Sequence, residues 1–272
     1  MTRRRSWWAF VVLVVGAAVW LVPVIYMVNI ALRTQEDAFV PSLLTLHPTW
    51  ENFRVVLGQP SLPRYFFNSL VIATGTTVFT IAIGASAAYA FARMHVPGGR
   101  ALFPLLLFQL FVPIAALLIP IAQLLKFLGL VNTYWGLIGP ETAIGVPFAL
   151  IVFRGAMDGF PDELEEAARI DGCTRFAILI RIVFPLVSPA TLVVAINQFL
   201  YSWNEFFLAL IILTRAGLKT LPLAPLVYQG DFVSNVGELF AILTLITIPA
   251  VVMYALLQRR FVEGLQGGGI KE

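Results

Sequence analysis

Trp7-Trp8-Ala9-Phe10-Val11-Val12-Leu13-Val14-Val15-Gly16-Ala17-Ala18-Val19-Trp20-Leu21-Val22-Pro23-Val24-Ile25-Tyr26-Met27-Val28-Asn29-Ile30-Ala31 contains no charged side chain. A hydrocarbon core about 30 Å thick is crossed by roughly 20 apolar residues in helical form, each rising about 1.5 Å. This run therefore reads as a membrane-spanning helix. It is longer than the apolar region of a secretory signal, and Pro23 and Asn29 offer no small-residue cleavage site, so the run is expected to be retained despite Arg3-Arg4-Arg5 ahead of it. Similar stretches recur near 66–92, 101–125, 134–156, 188–213 and 237–258. Hydrophobic residues make up 59% of the 272 and charged ones 12%, which places nearly the whole chain in a bilayer. Lipid offers no partner to a backbone amide, so the spans are expected to be helices, and no period-2 alternation suggests a β-barrel. The expected fold is all-α: one polytopic domain over 1–272 with six transmembrane helices.

An even number of spans puts both ends on one side. With the N-terminus inside, Arg3, Arg4, Arg5, Arg93, Arg100, Arg154, Arg169, Arg175, Arg181, Arg259, Arg260 and Lys271 fall on the inner side. Only Arg33, Arg54, Arg64, Lys126, Arg215 and Lys219 fall outside, and this bias favours cytoplasmic termini. Trp7, Trp8, Trp50, Tyr134 and Trp135 sit near expected span ends, as interfacial anchors do. The net charge of +3 reflects topology and gives no reason to expect nucleic acid as a partner. Cys173 is the only cysteine, and His47 and His95 fall on opposite sides, so no metal site is expected.

One inner loop is long, residues 157–187. Pro161 opens it, Asp162 and Glu165 form a plausible capping pair, and Glu163 and Glu166 add acidic charge near the positive end of the helix dipole. Gly172 is placed to stop that helix in the left-handed conformation. Thr174 can cap a second helix from Arg175 to Phe184, ended by Pro185. The loop therefore reads as helix, glycine turn, helix. Such an element either rests on lipid headgroups or docks on another protein; its acids count against an anionic leaflet.

Glu166-Ala167-Ala168, Gly172, Ile182 and Pro185, at this spacing, resemble the EAA signature of permease subunits of ATP-binding-cassette importers, with Phe184 where that family usually has leucine. Further stretches resemble the carbohydrate-uptake branch, in particular its maltose-type second permease. They are Arg64-Tyr65-Phe66-Phe67-Asn68-Ser69-Leu70, Leu130–Leu137, Ser202-Trp203-Asn204-Glu205-Phe206-Phe207-Leu208-Ala209-Leu210, and the glycine-rich tail Phe261–Lys271. The resemblance implies a type I importer permease in the bacterial cytoplasmic (inner) membrane. It implies as partners two cytoplasmic ATP-binding subunits, a second homologous permease, an extracytoplasmic substrate-binding protein and a sugar. It also implies an ATPase-coupling segment comprising Glu165, Glu166, Ala167, Ala168, Asp171 and Gly172, with Glu166 as polar anchor. This chain has no G-x-x-x-x-G-K-[ST] phosphate loop, so ATP and magnesium are expected in the partner ATPase, with no cofactor and no catalytic residue here.

Asn197, Tyr201, Asn204 and Glu205 recur at helical spacing in the fifth span, and Glu205 reads as the only deep ionisable group. Such a stripe either lines a sugar path, where hydroxyl edges and ring faces meet polar and aromatic side chains, or packs against a partner permease. Pro104, Pro113 and Pro120 around Gln109 imply a kinked or interrupted third span. Gly75, Gly84, Ala85, Ser86, Ala87 and Ala88 give the second span a small-residue surface suited to close helix packing. A gradient-driven secondary transporter is the alternative function. An intramembrane enzyme lacks paired acids or a buried histidine, and a peptide or inorganic-ion permease fits the Ser202–Leu210 stretch and the tail less well.

Overall fold

The computed structural model describes residues 7–37, 40, 42, 44–161, 163–228 and 235–267, with side chains as far as Ala255. Arg3, Arg4, Arg5, Asp162, Lys271 and the end of the glycine-rich tail lie outside the described residues. Among the described residues every regular element is helical. Four helices are each long and apolar enough to cross a membrane alone: α1 (Trp7–Ala31), α3 (Leu62–Arg93), α6 (Trp135–Met157) and α12 (Val236–Gly267). Counting each of two bent pairs as one span brings the number to six among the described residues.

The first bent pair is α4 (Gly99–Phe108), extended by a 3-10 turn to Phe111, and α5 (Ile114–Phe127), with 106° between them. The interruption expected in the third span therefore falls at Val112–Pro113. Pro113 pushes Val112 out of the helical region to φ −85°, ψ 119°, because the proline ring crowds the preceding residue. The second pair is Arg175–Leu186 and α10 (Ser188–Trp203), bent by 82°. Within Arg175–Leu186, a first turn α8 (Arg175–Ile178) leads into a π-helical stretch, Leu179–Val183, and then α9 (Phe184–Leu186). The wider π turn lies where the ring of Pro185 would press on the carbonyl four residues back. This segment thus runs past the expected stop at Pro185.

The fifth span departs from the expected 188–213. Its helix ends at Trp203, and a short α11 (Phe207–Ile212) follows the break. The Glu205 carboxylate accepts the Leu208 amide at 2.7 Å and satisfies a donor at the start of α11. Asn204 folds back to donate to the Leu200 carbonyl at 2.7 Å. Asn204 and Glu205 are therefore break residues and not members of one continuous helical stripe.

The chain divides into two compact units, Met1–Leu62 with Ala224–Pro249 and Pro63–Leu223 with Ala250–Glu272. In the first, a short helix α2 (Glu51–Leu57) follows Trp50. Asn52 donates to the carbonyls of Ala31 and Arg33 at 2.9 and 2.7 Å, which holds α2 against the end of α1. Arg33 is itself buried and donates to Asn29, Val40 and Ser42. The α1 apolar window buries none of its residues within the chain, which leaves it for lipid or another subunit.

The second unit is built around α3 and α6. Ala85, Ala88 and Tyr89 of α3 share one buried cluster with Ala149, Leu150, Phe153 and Met157 of α6 and with Ala190 and Val194 of α10. A methyl on Gly84 would stand 2.5 Å from the Ala149 Cβ, so α3 and α6 touch at a point where only hydrogen fits. The small-residue surface expected for the second span is real on its buried side, whereas Ser86 faces outward and bonds to the Ala82 carbonyl of its own helix. Asn68 is buried; it donates to the carbonyls of Gly217 and Lys219 at 3.1 and 2.9 Å and accepts the Tyr134 hydroxyl at 2.7 Å. Tyr134, expected as an interfacial anchor, is thereby committed to a tertiary hydrogen bond.

Candidate functional site

The inner loop forms an elbow. Its first arm is α7 (Glu163–Ile170), closed by Gly172 at φ +80°. The Cys173 amide donates to the Ala168 carbonyl at 2.9 Å and the Gly172 amide to Arg169 at 3.0 Å. This pair is the Schellman pattern, which needs a residue in the left-handed region that glycine occupies without strain. The Thr174 hydroxyl then accepts the Ala177 amide at 3.3 Å and starts the second arm, as the sequence implied.

The elbow has two faces. Ala168, Ile178, Leu179, Val183 and Val187 enter the same buried cluster that joins α3, α6 and α10. One face of the elbow thus packs on the helices of its own chain. Glu165 also turns inward and is 5% exposed, while Glu166, Ala167, Asp171 and Gly172 face outward. Ile170 and Phe176 flank that outward face at 87% and 72% exposure. The residues grouped by the motif therefore separate: Glu165 and Ala168 belong to the interior, and the other four are presented at the surface.

Arg93, the last residue of α3, joins the elbow to the spans. Its Nε lies 3.2 Å from Glu165 Oε1, and its Nη2 donates to the carbonyls of Met157 and Phe160 at 2.8 and 2.7 Å. Glu165 Oε2 accepts the Tyr89 hydroxyl at 2.9 Å and lies 3.5 Å from Arg169 Nη2. A shallow crevice lined by Arg93, Met157, Phe160, Leu164, Glu165 and Ile182 opens beside this junction.

The span residues singled out as a transport path sit differently. Asn197 and Asn204 are exposed, and Tyr201 and Glu205 are half-buried, so these side chains remain open to whatever lies beside α10. Turned the other way, Gln198, Ser202 and Trp203 are buried. Trp203 stacks on Phe199 with ring centroids 5.7 Å apart and meets the edge of Phe66 at 5.5 Å.

Glu205 is not the only deep ionisable group, and this corrects the sequence reading. Glu141 of α6 is fully buried and accepts from the Thr76 hydroxyl at 3.3 Å, while Gln198 donates to its main-chain carbonyl at 3.3 Å. Gly145, one turn on, leaves the room that the Gln198 amide occupies; a Cβ there would collide with it. Glu141 stands beside Pro140 inside the apolar run 134–156, where one acid is hidden by the residues around it. No salt bridge reaches Glu141 among the described residues, and an ion buried without a countercharge is costly. Glu141→Gln keeps the shape and an acceptor for Thr76 while removing any charge. Its melting temperature in detergent is expected to match or exceed that of the parent; a fall of more than about 5 °C, roughly 2–3 kcal/mol for a chain of this length, contradicts this account.

Similarity to known proteins agrees with this architecture. Residues 80–266 match the family described as binding-protein-dependent transport system inner membrane component. The trehalose transport system permease protein of Mycobacterium tuberculosis is 32% identical over 99% of this chain and 98% of its own length. The sulfoquinovosyl glycerol transport system permease protein of Agrobacterium fabrum is 32% identical over 92% of this chain and 89% of its own. The trehalose/maltose transport system permease protein of Thermococcus litoralis is 33% identical, with 96% of each chain covered. Among solved structures, a bacterial ABC transporter that imports the acidic polysaccharide alginate has a chain superposing with a TM-score of 0.81 over 96% of this one and 99% of its own, at 20% identity. At that identity the likeness speaks for the fold alone. A family match over most of the chain, together with relatives above 30% identity along nearly its whole length, makes this chain a member of the binding-protein-dependent transport system inner membrane component family.

Proposed function

We propose that this chain is the permease subunit of an ATP-driven, binding-protein-dependent importer that carries a sugar or sugar-like solute across a bacterial cytoplasmic membrane. The observation that carries the reading is the elbow. It is seated in the core of the membrane helices on one face, and it offers Glu166, Ala167, Asp171 and Gly172 with two exposed apolar side chains on the other. A surface helix that is rigidly held from behind and leaves isoleucine and phenylalanine in water is suited to seating in a partner's cleft.

In this reading two cytoplasmic subunits bind and hydrolyse ATP with magnesium, and their closure pushes on the elbow. This chain contributes no catalytic group. A second, related permease completes the path beside α10, and an extracytoplasmic binding protein delivers the solute. Both termini and the elbow face the cytoplasm, in keeping with the excess of basic residues on that side. The carbohydrate assignment follows the relatives, whose names include trehalose, maltose and sulfoquinovosyl glycerol systems.

The test is purification of a tagged form of this chain from its own cells in mild detergent, followed by reconstitution. ATP-binding subunits and a second permease are expected to copurify. Uptake of a labelled disaccharide into proteoliposomes is expected to need ATP and the binding protein. Uptake driven by a proton or sodium gradient without ATP overturns the reading in favour of a secondary transporter.

A further inference from the structure

We infer that Glu165 is the joint that transmits elbow movement to α3, and not a contact with the ATPase. The inference rests on the coupling role proposed above and assigns a distinct part of it to one buried carboxylate. Glu165 and Glu166 are neighbours in the motif, yet successive residues on a helix project about 100° apart. Glu166 points out, whereas Glu165 is held by Arg93 Nε at 3.2 Å and Tyr89 Oη at 2.9 Å, both from α3, and flanked by Arg169 at 3.5 Å. The same Arg93 fixes the Met157 and Phe160 carbonyls at 2.8 and 2.7 Å, where α6 ends and the elbow begins. Two spans and the elbow therefore meet at one charge-assisted cluster.

The rest of the elbow's inner face is apolar: Ala168, Ile178, Leu179 and Val183. Apolar packing holds surfaces together without fixing direction, so helices can slide across it in small steps. An ion pair with a hydrogen bond from a second residue of the same helix fixes both distance and direction. A displacement imposed on α7 is passed through Glu165 to the end of α3, a helix of 32 residues that reaches into the bilayer. Glu165 is thus a positioning residue: it acts through Arg93 and Tyr89, and touches neither nucleotide nor solute.

The experiment uses the complete importer, purified through a tag on this chain and reconstituted with its binding protein. ATP hydrolysis and labelled-disaccharide uptake are measured on the same preparation. Glu165→Gln is expected to keep the ATP-binding subunits at parental yield and to keep hydrolysis, while uptake per ATP falls by about tenfold, within the range of a site-to-site coupling loss. Glu165→Asp retains the charge and is expected to restore part of that ratio. Tyr89→Phe removes one hydrogen bond and leaves the ion pair; its uptake per ATP is expected to fall by about fivefold. If Glu165→Gln fails to insert, Tyr89→Phe and Glu165→Asp decide the matter. An unchanged ratio in these variants, or hydrolysis and uptake falling in parallel, overturns the inference, as does loss of the ATP-binding subunits from Glu165→Gln. Absence of those subunits from the parental preparation instead defeats the coupling role itself.

Discussion

Gly84→Leu is expected to separate α3 from α6 and to remove most of the folded protein from the membrane. Even a single methyl at this position would lie 2.5 Å from Ala149 Cβ, well inside van der Waals contact, and the neighbour is itself a Cβ fixed to a helix backbone. Neither group can rotate away, so the helix axes must part. Parting them loosens the contacts of Ala85, Ala88 and Tyr89 with Ala149, Leu150 and Phe153, all buried in one cluster. Overpacking a close-packed site costs about 1–3 kcal/mol and sometimes more, and leucine adds four carbons where none fits. The measurement is the monodisperse fraction after detergent extraction, with the melting temperature of what survives. Gly16→Leu in α1, where nothing lies within 4 Å of the added Cβ, is the control and is expected to behave like the parent. Ala149→Gly combined with Gly84→Ala removes one methyl as it adds another, so the pair is expected to be milder than Gly84→Ala alone. A parental elution profile and melt for Gly84→Leu would refute this close approach.

Gly172→Asp is expected to abolish transport while leaving the protein inserted and folded. At φ +80° an L-residue is strained by about 1–2 kcal/mol, and aspartate is among the side chains that tolerate the region best. Nothing lies within 4 Å of the added Cβ, so the chain itself accepts the side chain. The Schellman hydrogen bonds from Gly172 and Cys173 involve only main-chain atoms and survive the change. The damage therefore falls on what approaches from outside. A carboxylate placed beside the exposed Asp171 on the outward face adds bulk and negative charge where a close protein contact is proposed. Losing a hot-spot contact of ~2 kcal/mol weakens affinity by about thirtyfold. Copurification of the ATP-binding subunits and disaccharide uptake report the loss, and membrane abundance reports insertion. Gly172→Asn carries nearly the same backbone strain without the charge, so a smaller loss in Asn than in Asp separates the surface effect from the strain. Full uptake by Gly172→Asp would exclude the outward face as the docking surface.

These two glycines differ in how far the sequence announced them. Gly172 follows an acidic start and precedes a threonine cap, and local rules sufficed to place it in the left-handed region. Gly84 was visible only as one of several small residues in the second span. Its partner, Ala149, lies 65 residues away, and no local pattern pairs them.

The breaks follow the same division. Pro113 constrains its own φ and the conformation before it, so an interruption of the third span was legible. The break after Trp203 has no proline or glycine to mark it. It forms where Glu205 accepts the Leu208 amide and Asn204 the role of helix end, a choice between local hydrogen bonds that the hydropathy of 188–213 does not encode. Glu141 was overlooked because a single acid hardly changes the mean of a long apolar run, although its solvation matters far more than the mean.

Chain chemistry alone settles that this protein is helical and crosses the membrane repeatedly, since lipid forces backbone hydrogen bonding inside each segment and 25 uncharged residues have no other stable place. It also settles the elbow's glycine turn and threonine cap, because caps and left-handed turns depend on residues within one turn of each other. Which way Glu165 points, where α3 meets α6, and how Glu141 is enclosed emerge only when distant segments pack, because burial is a property of neighbours that the order of residues does not supply.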